Sequence, residues 1–530
     1  ASAAHRVGRA GRRGRVDGDG LGMSGLDSLA ASALVGTGRR APDWPDLPGE
    51  VGATLSKIDR ENAEKAALQA AGVIAVCALA GLEPPTRMTE ADLSPEDTSP
   101  LREVPAALHP RLNDICVEGP ARLQAEAMGC LARRGYRWPA RLLPMALECG
   151  KREQALRPFV VAAIGRRGIW LAGQNSSWTY ATGVAEEGQE EETWRHGTHE
   201  QRKAALGAMR GRDAAAARIW LQDAIPTEGA RERAALVACL TIGLSTEDEP
   251  LLETLLKDKS KEVRQTSLTL LSSMPGSSLC RRMAGRLDAC LTVTKKLLRS
   301  AALSIEPPEA FDPAWAGDLI EETPPKGSKY GARAWWLRQI ARSVPLEWWE
   351  AKSSMTPEKL LDWARSTDWK DAIVAAWAEA VQLQQKESWA EAFLKASPVE
   401  AGPLPFDRLL SILPQTAREE QALALMRRSV DPAPLSATLS CLLQALPLGE
   451  TLSHNAAAQI LIMLRGVLEV SAYDLTLRGQ FVEFAAAAPE SLIDAMSKGW
   501  PAEGSPSVLN TISRILTVLD HRKDLYRLPS

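Results

Sequence analysis

The chain is 530 residues long, 45% hydrophobic and 24% charged, with a net charge of −3; this excludes a disordered polymer and leaves no global field to recruit nucleic acid or an anionic membrane. Its eight cysteines include no CxxC pair and show no regular spacing, so they read as reduced thiols in apolar helical runs, which points to the cytoplasm rather than to a disulfide-stapled secreted class. The length admits several ordinary domains or one long superhelix.

Residues 1–25 open the chain as a disordered arm rich in Gly and Arg, with no apolar periodicity. Such an arm suits either a phosphate-binding tail or an extension ahead of a start at Met23. Residues 26–82 are N-terminal helices. Gly36-Thr37-Gly38 is a tight turn, since a preceding hydrophobic strand and the Gly-Lys-Ser/Thr ending of a phosphate loop are both missing. Trp44, between Pro42 and Pro45, anchors an extended strap. A long helix is predicted over Ser56 to Leu82, and its apolar run from Ala66 to Ala80 falls short of the ~20 residues a bilayer span needs. Residues 83–105 form a proline-rich acidic linker.

Beyond the linker, helices are predicted at 121–134, 139–148 and 152–166, with short connections that fit stacked hairpins. The segment Gly165-Arg166-Arg167-Gly-Ile-Trp170 leads into a loop holding Asn175, Trp178 and Tyr180. That loop is either a ligand-stacking surface or a capped turn whose indoles plug a groove between repeats. His196 and His199 lie three residues apart beside Glu200, but no third ligand follows at metal-binding spacing. They read as residues at a helix start.

Between Trp194 and Met283 the chain repeats. Arg202, Arg233 and Arg264 each sit near a helix start with an apolar residue four positions on, at intervals of 31 residues; a period in this range indicates stacked helix pairs. The three arginines read either as a basic stripe for phosphates or as partners of turn carboxylates, with Asp258 placed like the Asp of a charge ladder. The acidic runs Glu190-Glu191-Glu192 and Asp248-Glu249 read as helix N-terminal charges or a solvated face. Residues 106–300 are therefore assigned to HEAT-like helical repeats. Residues 301–530 continue them as tryptophan-rich and C-terminal repeats: nine of the sixteen tryptophans lie between Trp315 and Trp389, including the doublets Trp335-Trp336 and Trp348-Trp349. Trp369 and Trp377 read as core, and exposed members of the doublets as a partner-binding patch.

No nucleophile elbow, dinucleotide fingerprint or zinc framework is present, so no catalytic residue, metal ligand or cofactor is assigned. Several blocks carry a family likeness. They are Ala33 to Arg40, Gly165 to Ala172 with Asn175 and Trp178, Trp194 to Gly197 with Arg202, Asp248 to Glu253, Val263-Arg264, Leu270 to Pro275, Arg282-Met283, Pro324-Pro325 and Arg333 to Leu337. Together they resemble an uncharacterised bacterial family of HEAT-like proteins, often encoded beside a SWIM zinc-finger protein, a MoxR-type AAA ATPase and a von Willebrand factor A-domain protein. The resemblance covers about Leu26 to Trp349. It implies work alongside an ATPase and an A-domain partner as a substrate-selecting or assembly scaffold.

The sequence thus predicts an all-α, HEAT-like α-solenoid with a disordered N-terminal arm, acting as a non-enzymatic protein-binding scaffold in the cytoplasm. Candidate partner-binding residues are Arg166, Arg167, Trp170, Asn175, Trp178, Trp194, Arg202, Arg233, Arg264, Trp335 and Trp336. The alternative is a nucleic-acid-binding protein using Arg166, Arg167, Arg202, Arg233 and Arg264.

Overall fold

The computed structural model describes residues 26, 28–34, 42–47, 49–80, 101–182, 190–296, 299–396, 405–427 and 432–529. The Gly/Arg arm, the Gly36–Gly38 turn and most of the 83–105 linker lie outside them. The chain divides into two compact units, Ala1–Pro95 and Glu96–Ser530. In the first, α1 (Gly49–Leu55) and α2 (Ala63–Ala80) close over Leu29, Leu55, Ala70 and Ile74. The helix predicted from Ser56 begins only at Ala63, because the Asn62 side chain accepts the Lys65 amide at 2.9 Å and caps it there. Among the described residues, no helix is long and apolar enough to cross a membrane.

The second unit is all-α apart from two small pairs of strands. A two-residue parallel pair joins β1 (Arg102–Glu103) to β2 (Tyr136–Arg137). Around it run α3 (His109–Glu118), α4 (Ala121–Arg133), α5 (Leu143–Arg152) and α6 (Arg157–Gly173). The helix predicted to end at Arg166 continues to Gly173 because Gly165, at φ 61° and ψ −177°, puts a kink into it instead of a stop. The repeat region holds α7 (Glu190–His196), α8 (His199–Arg212), α9 (Ala214–Ala224), α10 (Ala230–Ala238), α11 (Glu249–Leu255), α12 (Lys261–Ser272) and α13 (Ser278–Asp288). The helices carrying the periodic arginines start at His199, Ala230 and Lys261, so the 31-residue interval of the sequence is also the interval of the structure.

An antiparallel hairpin follows where helix was expected: β3 (Leu291–Lys296) pairs with β4 (Arg299–Ile305), placing Leu291 opposite Ile305 and Val293 opposite Leu303. Its cause is local. Thr292, Val293 and Thr294 are β-branched and alternate, with Leu291 buried and the threonines exposed, which suits a one-sided strand better than a helix. Then come α14 (Ala332–Ala341), α15 (Leu346–Ser353), α16 (Pro357–Arg365), α17 (Lys370–Gln384) and α18 (Glu387–Ala396). The last are α19 (Phe406–Ile412), α20 (Gln415–Met426), α21 (Pro432–Ala445), α22 (His454–Gly466), α23 (Leu475–Ala487), α24 (Ile493–Met496) and α25 (Pro506–Tyr526).

Packing in this unit returns to its start. A path of neighbouring elements runs through α4, α6, the 3-10 turn Ser176–Ala181, α8, α10, α12, α13, α14, α17, α19, α21, α23 and α25, and α25 packs on α4. There are two cores. One spans Trp194 to Leu413 and takes in Ala445; the other joins Val104–Ala181 with most of the buried residues of Ala422–Leu528. Arginines secure the junction, two of them buried, Arg122 and Arg522. Arg122 donates to the carbonyls of Leu443, Leu446 and Pro447 at 2.8–2.9 Å and of Glu450 at 3.2 Å, and Arg134 donates to those of Leu525 and Tyr526 at 2.9 and 3.0 Å. Arg522 grips Glu126 through two bonds of 2.7 and 2.8 Å. The guanidinium groups of Arg122 and Arg134 satisfy carbonyls that helix ends leave without intrahelical partners.

Candidate functional site

The periodic arginines form a ladder. Arg202 pairs with Glu228, and Arg233 pairs with Asp258 through two bonds of 3.0 and 2.8 Å, each reaching forward to the next repeat. Within its own repeat Arg233 also donates to Glu228 O, and Arg264 to Asp258 O, both at 2.7 Å. The turn acid that the sequence offered at Asp258 is thus the anchor of the ladder. Asp258 also accepts the Ser260 amide, and these bonds hold its carboxyl below the usual range although burial pushes it up. Arg202 and Arg233 thus bridge forward, while Arg264 is engaged by the carbonyls of its own turn.

The predicted aromatic anchors are mostly interior. Trp194 stacks on Trp220 at 5.6 Å with Arg202 over the Trp194 ring at 4.6 Å, and Trp178 donates its indole N–H to Glu148 at 2.8 Å. Trp178, Trp194, Trp335 and Trp336 are all buried. These four candidate partner-binding tryptophans belong to the cores of the unit. Asn175 accepts the Ser177 amide at 2.9 Å, so its segment is the capped turn. On α6, Arg166 and Arg167 are exposed and Trp170 is half-buried. His196 faces Glu192 at 3.7 Å and is well exposed, and among the described residues no group of three or more potential metal ligands comes together. Of the acidic runs, Asp248 and Glu190 are not on a solvated face. Asp248 is closed off between Arg210 and Arg218, and Glu190 pairs with Arg212 at 2.8 Å.

A pocket of about 160 Å³ opens where the repeats meet the tryptophan-rich region. Its walls come from α12 (Lys261, Gln265, Leu268), from Met283 of α13, from the segment 318–321, and from the end of α14 with the two residues after it (Trp335, Arg338, Gln339, Arg342, Ser343). The segment 318–321 is tied down on both sides. Gln339 receives the Glu321 amide at 2.8 Å and donates to the Glu321 carbonyl at 3.0 Å, while the Trp336 indole donates to Glu322 O at 2.7 Å. Arg282 and Arg286 hold Asp318 at 2.6 Å each, and Arg282 also reaches Glu253 at 3.1 Å. Burial would raise the Asp318 carboxyl, but these guanidinium groups keep it below its ordinary value and raise Arg282 in return. At the mouth, Lys261 pairs with Glu321 at 3.0 Å.

Arg338 and Arg342 share one carboxylate. Arg338 bonds Glu379 while lying over the rings of Trp335 and Tyr330 at 5.4 and 5.5 Å. Arg342 has the second oxygen of Glu379 at 3.4 Å from its Nε but out of hydrogen-bonding alignment, and it makes no hydrogen bond to the described residues. Burial lowers its pKa, and nearby Arg338 adds to the fall against the pull of Glu379. Sequence reasoning singled out Trp335 here and passed over Arg338, Gln339 and Arg342. Their spacing of three, four and seven residues from Trp335 lies on one helical face and was the available signal.

Comparison with known proteins finds a family model described as a Family of unknown function (DUF5691) over residues 28–528. No curated protein and no solved structure matches the chain.

Proposed function

We propose, from the premise that this chain belongs to the Family of unknown function (DUF5691), that it is a non-enzymatic, cytoplasmic protein-binding scaffold of HEAT-like helical pairs. The observation that supports this reading is the closed frame of the second unit: its first and last helices share one core, so the α12–α14 pocket is carried on an element path with no free end. A frame that does not rearrange loses little entropy when a partner docks, and this favours binding surfaces over moving parts. The partners that the family resemblance suggests are a MoxR-type AAA ATPase and a von Willebrand factor A-domain protein.

The test is capture of partners from source-cell extract by the full chain, with and without nuclease, read by quantitative mass spectrometry and repeated with the purified ATPase and A-domain proteins. Recovery of either protein in both extracts, and direct binding of the purified form, supports the scaffold. Proteins that vanish after nuclease treatment, with no direct binding, sink it in favour of nucleic-acid recognition.

A further inference from the structure

Other buried arginines in this chain carry several hydrogen bonds each. Arg122, Arg210, Arg418 and Arg522 each donate three to six hydrogen bonds, mostly to helix-end carbonyls or to a facing carboxylate. Arg342 breaks this pattern. About four-fifths of its side chain is shielded, at 21% exposure, yet it lines a pocket and makes no hydrogen bond to the described residues. A guanidinium offers five donors in a planar fork; here the Nε is buried with no hydrogen-bond acceptor among the described residues and only Glu379 at 3.4 Å beside it, which is unfavourable.

We infer that Arg342 is the anchor of a binding site for a single carboxylate carried on a short apolar stem. The charge count favours a monoanion. Lys261, Arg282, Arg286, Arg338 and Arg342 face Glu253, Asp318, Glu321 and Glu379, five cations against four carboxylates, which leaves one positive charge. A dianionic phosphate would over-compensate it in a half-buried site. The walls give the stem: Leu268, Met283, Ile320 and Trp335 are apolar and buried beside the cation, the mixture expected of a site that fixes a small amphipathic group. The acids in the lining are already neutralised, Asp318 by two arginines and Glu321 by Lys261. The inference rests on the scaffold reading only for the source of the carboxylate, a glutamate-type side chain of a partner or a free short-chain acid.

The experiment uses the full chain and ligand-observed saturation-transfer NMR titrations, with pentanoate as probe and pentanamide as its uncharged twin. A second arm uses a capped alanine-rich peptide bearing one glutamate, with its glutamine counterpart. Pentanoate binds and pentanamide does not. Arg342→Met weakens pentanoate binding about tenfold or more, the loss expected for a charge-assisted hydrogen bond. Gln265→Glu on the exposed rim does the same with the fold untouched, and Arg342→Lys falls between. Equal binding of acid and amide, no binding of pentanoate, or an unchanged affinity in Arg342→Met and Gln265→Glu overturns the site. If the glutamate peptide binds more tightly than pentanoate, the source is a partner chain. If only pentanoate binds, the carboxylate site stands, and the scaffold reading loses this pocket while partner capture still decides it.

Discussion

Arg210 and Asp248 are both closed off from solvent, and Arg210 donates two bonds to that carboxylate at 3.0 and 2.9 Å and four to backbone carbonyls. Removing Arg210 leaves the interior Asp248 with Arg218 as its one remaining cation among the described residues and strands several carbonyl acceptors, so Arg210→Met costs about 3–5 kcal/mol. The same replacement at Arg342 removes a shielded cation whose only ion pair among the described residues, to Glu379 at 3.4 Å, leaves that carboxylate still held by Arg338, so Arg342→Met leaves stability within about 1 kcal/mol or raises it. Chemical-denaturation midpoints of the two variants check this, and a comparable loss in both would make Arg342 structural. The buried acids carry a pH dependence. For Asp248, burial works to raise the carboxyl, but the bonds from Arg210, Arg218 and the Ser245 amide hold it below its ordinary value, as Arg282 and Arg286 do for Asp318. A folded pKa below the unfolded value of about 3.9 means stability that is present above that pH and lost as pH falls through the folded pKa. Urea midpoints should therefore stay flat above about pH 5 with respect to these groups and fall below about pH 4. In a doubly substituted Asp248→Asn, Asp318→Asn chain that acid-side fall shrinks, and an unchanged profile refutes the assignment.

Single elements show what local sequence controls. The 31-residue spacing of Arg202, Arg233 and Arg264 located three helix starts, because a repeated cap and apolar register is a local pattern. The β3–β4 hairpin was hidden because its leucines and alanines lie among helix-forming lysines and an arginine, where only the alternation of Thr292, Val293 and Thr294 signals a strand. At the kink in α6 the cause is one residue. Gly165 occupies a region with positive φ and ψ near 180° that side chains avoid. Gly165→Ala is expected to cost about 1–3 kcal/mol, measured as a lowered denaturation midpoint with retained helical circular dichroism. If the alanine variant is as stable as the parent, the kink is not held by the glycine.

In the second unit as a whole, closure is the property that no local reading could supply. Arg122 meets Leu443 and Arg522 meets Glu126 across 321 and 396 residues of chain, and a period or a cap says nothing about which distant helix end a guanidinium will find. Gly449 shows how tight the seam is: at φ +86° it lies where an added Cβ would come within 2.9 Å of Phe159 on α6. The pocket was half legible for the same reason, since Trp335, Arg338 and Arg342 share a helical face but Lys261 and Asp318 reach them only through tertiary packing. Closure changes how the molecule should come apart. In an open array each repeat touches only its neighbours, so damage at the last helix stays there. Here α25 packs on α4, and residues 104–181 share their core with residues 422–528. Arg522→Ala removes both bonds to Glu126 and leaves that largely shielded acid without its cation, so it should loosen both ends of the unit together. Native-state hydrogen exchange reads this directly. Amides of α4 and α23 should lose protection in parallel with those of α25, while the α10–α12 repeats and the tryptophan-rich core around Trp377 keep theirs. Loss confined to α25 would mean that the first and last helices touch without depending on each other, and the frame would then behave as an open stack.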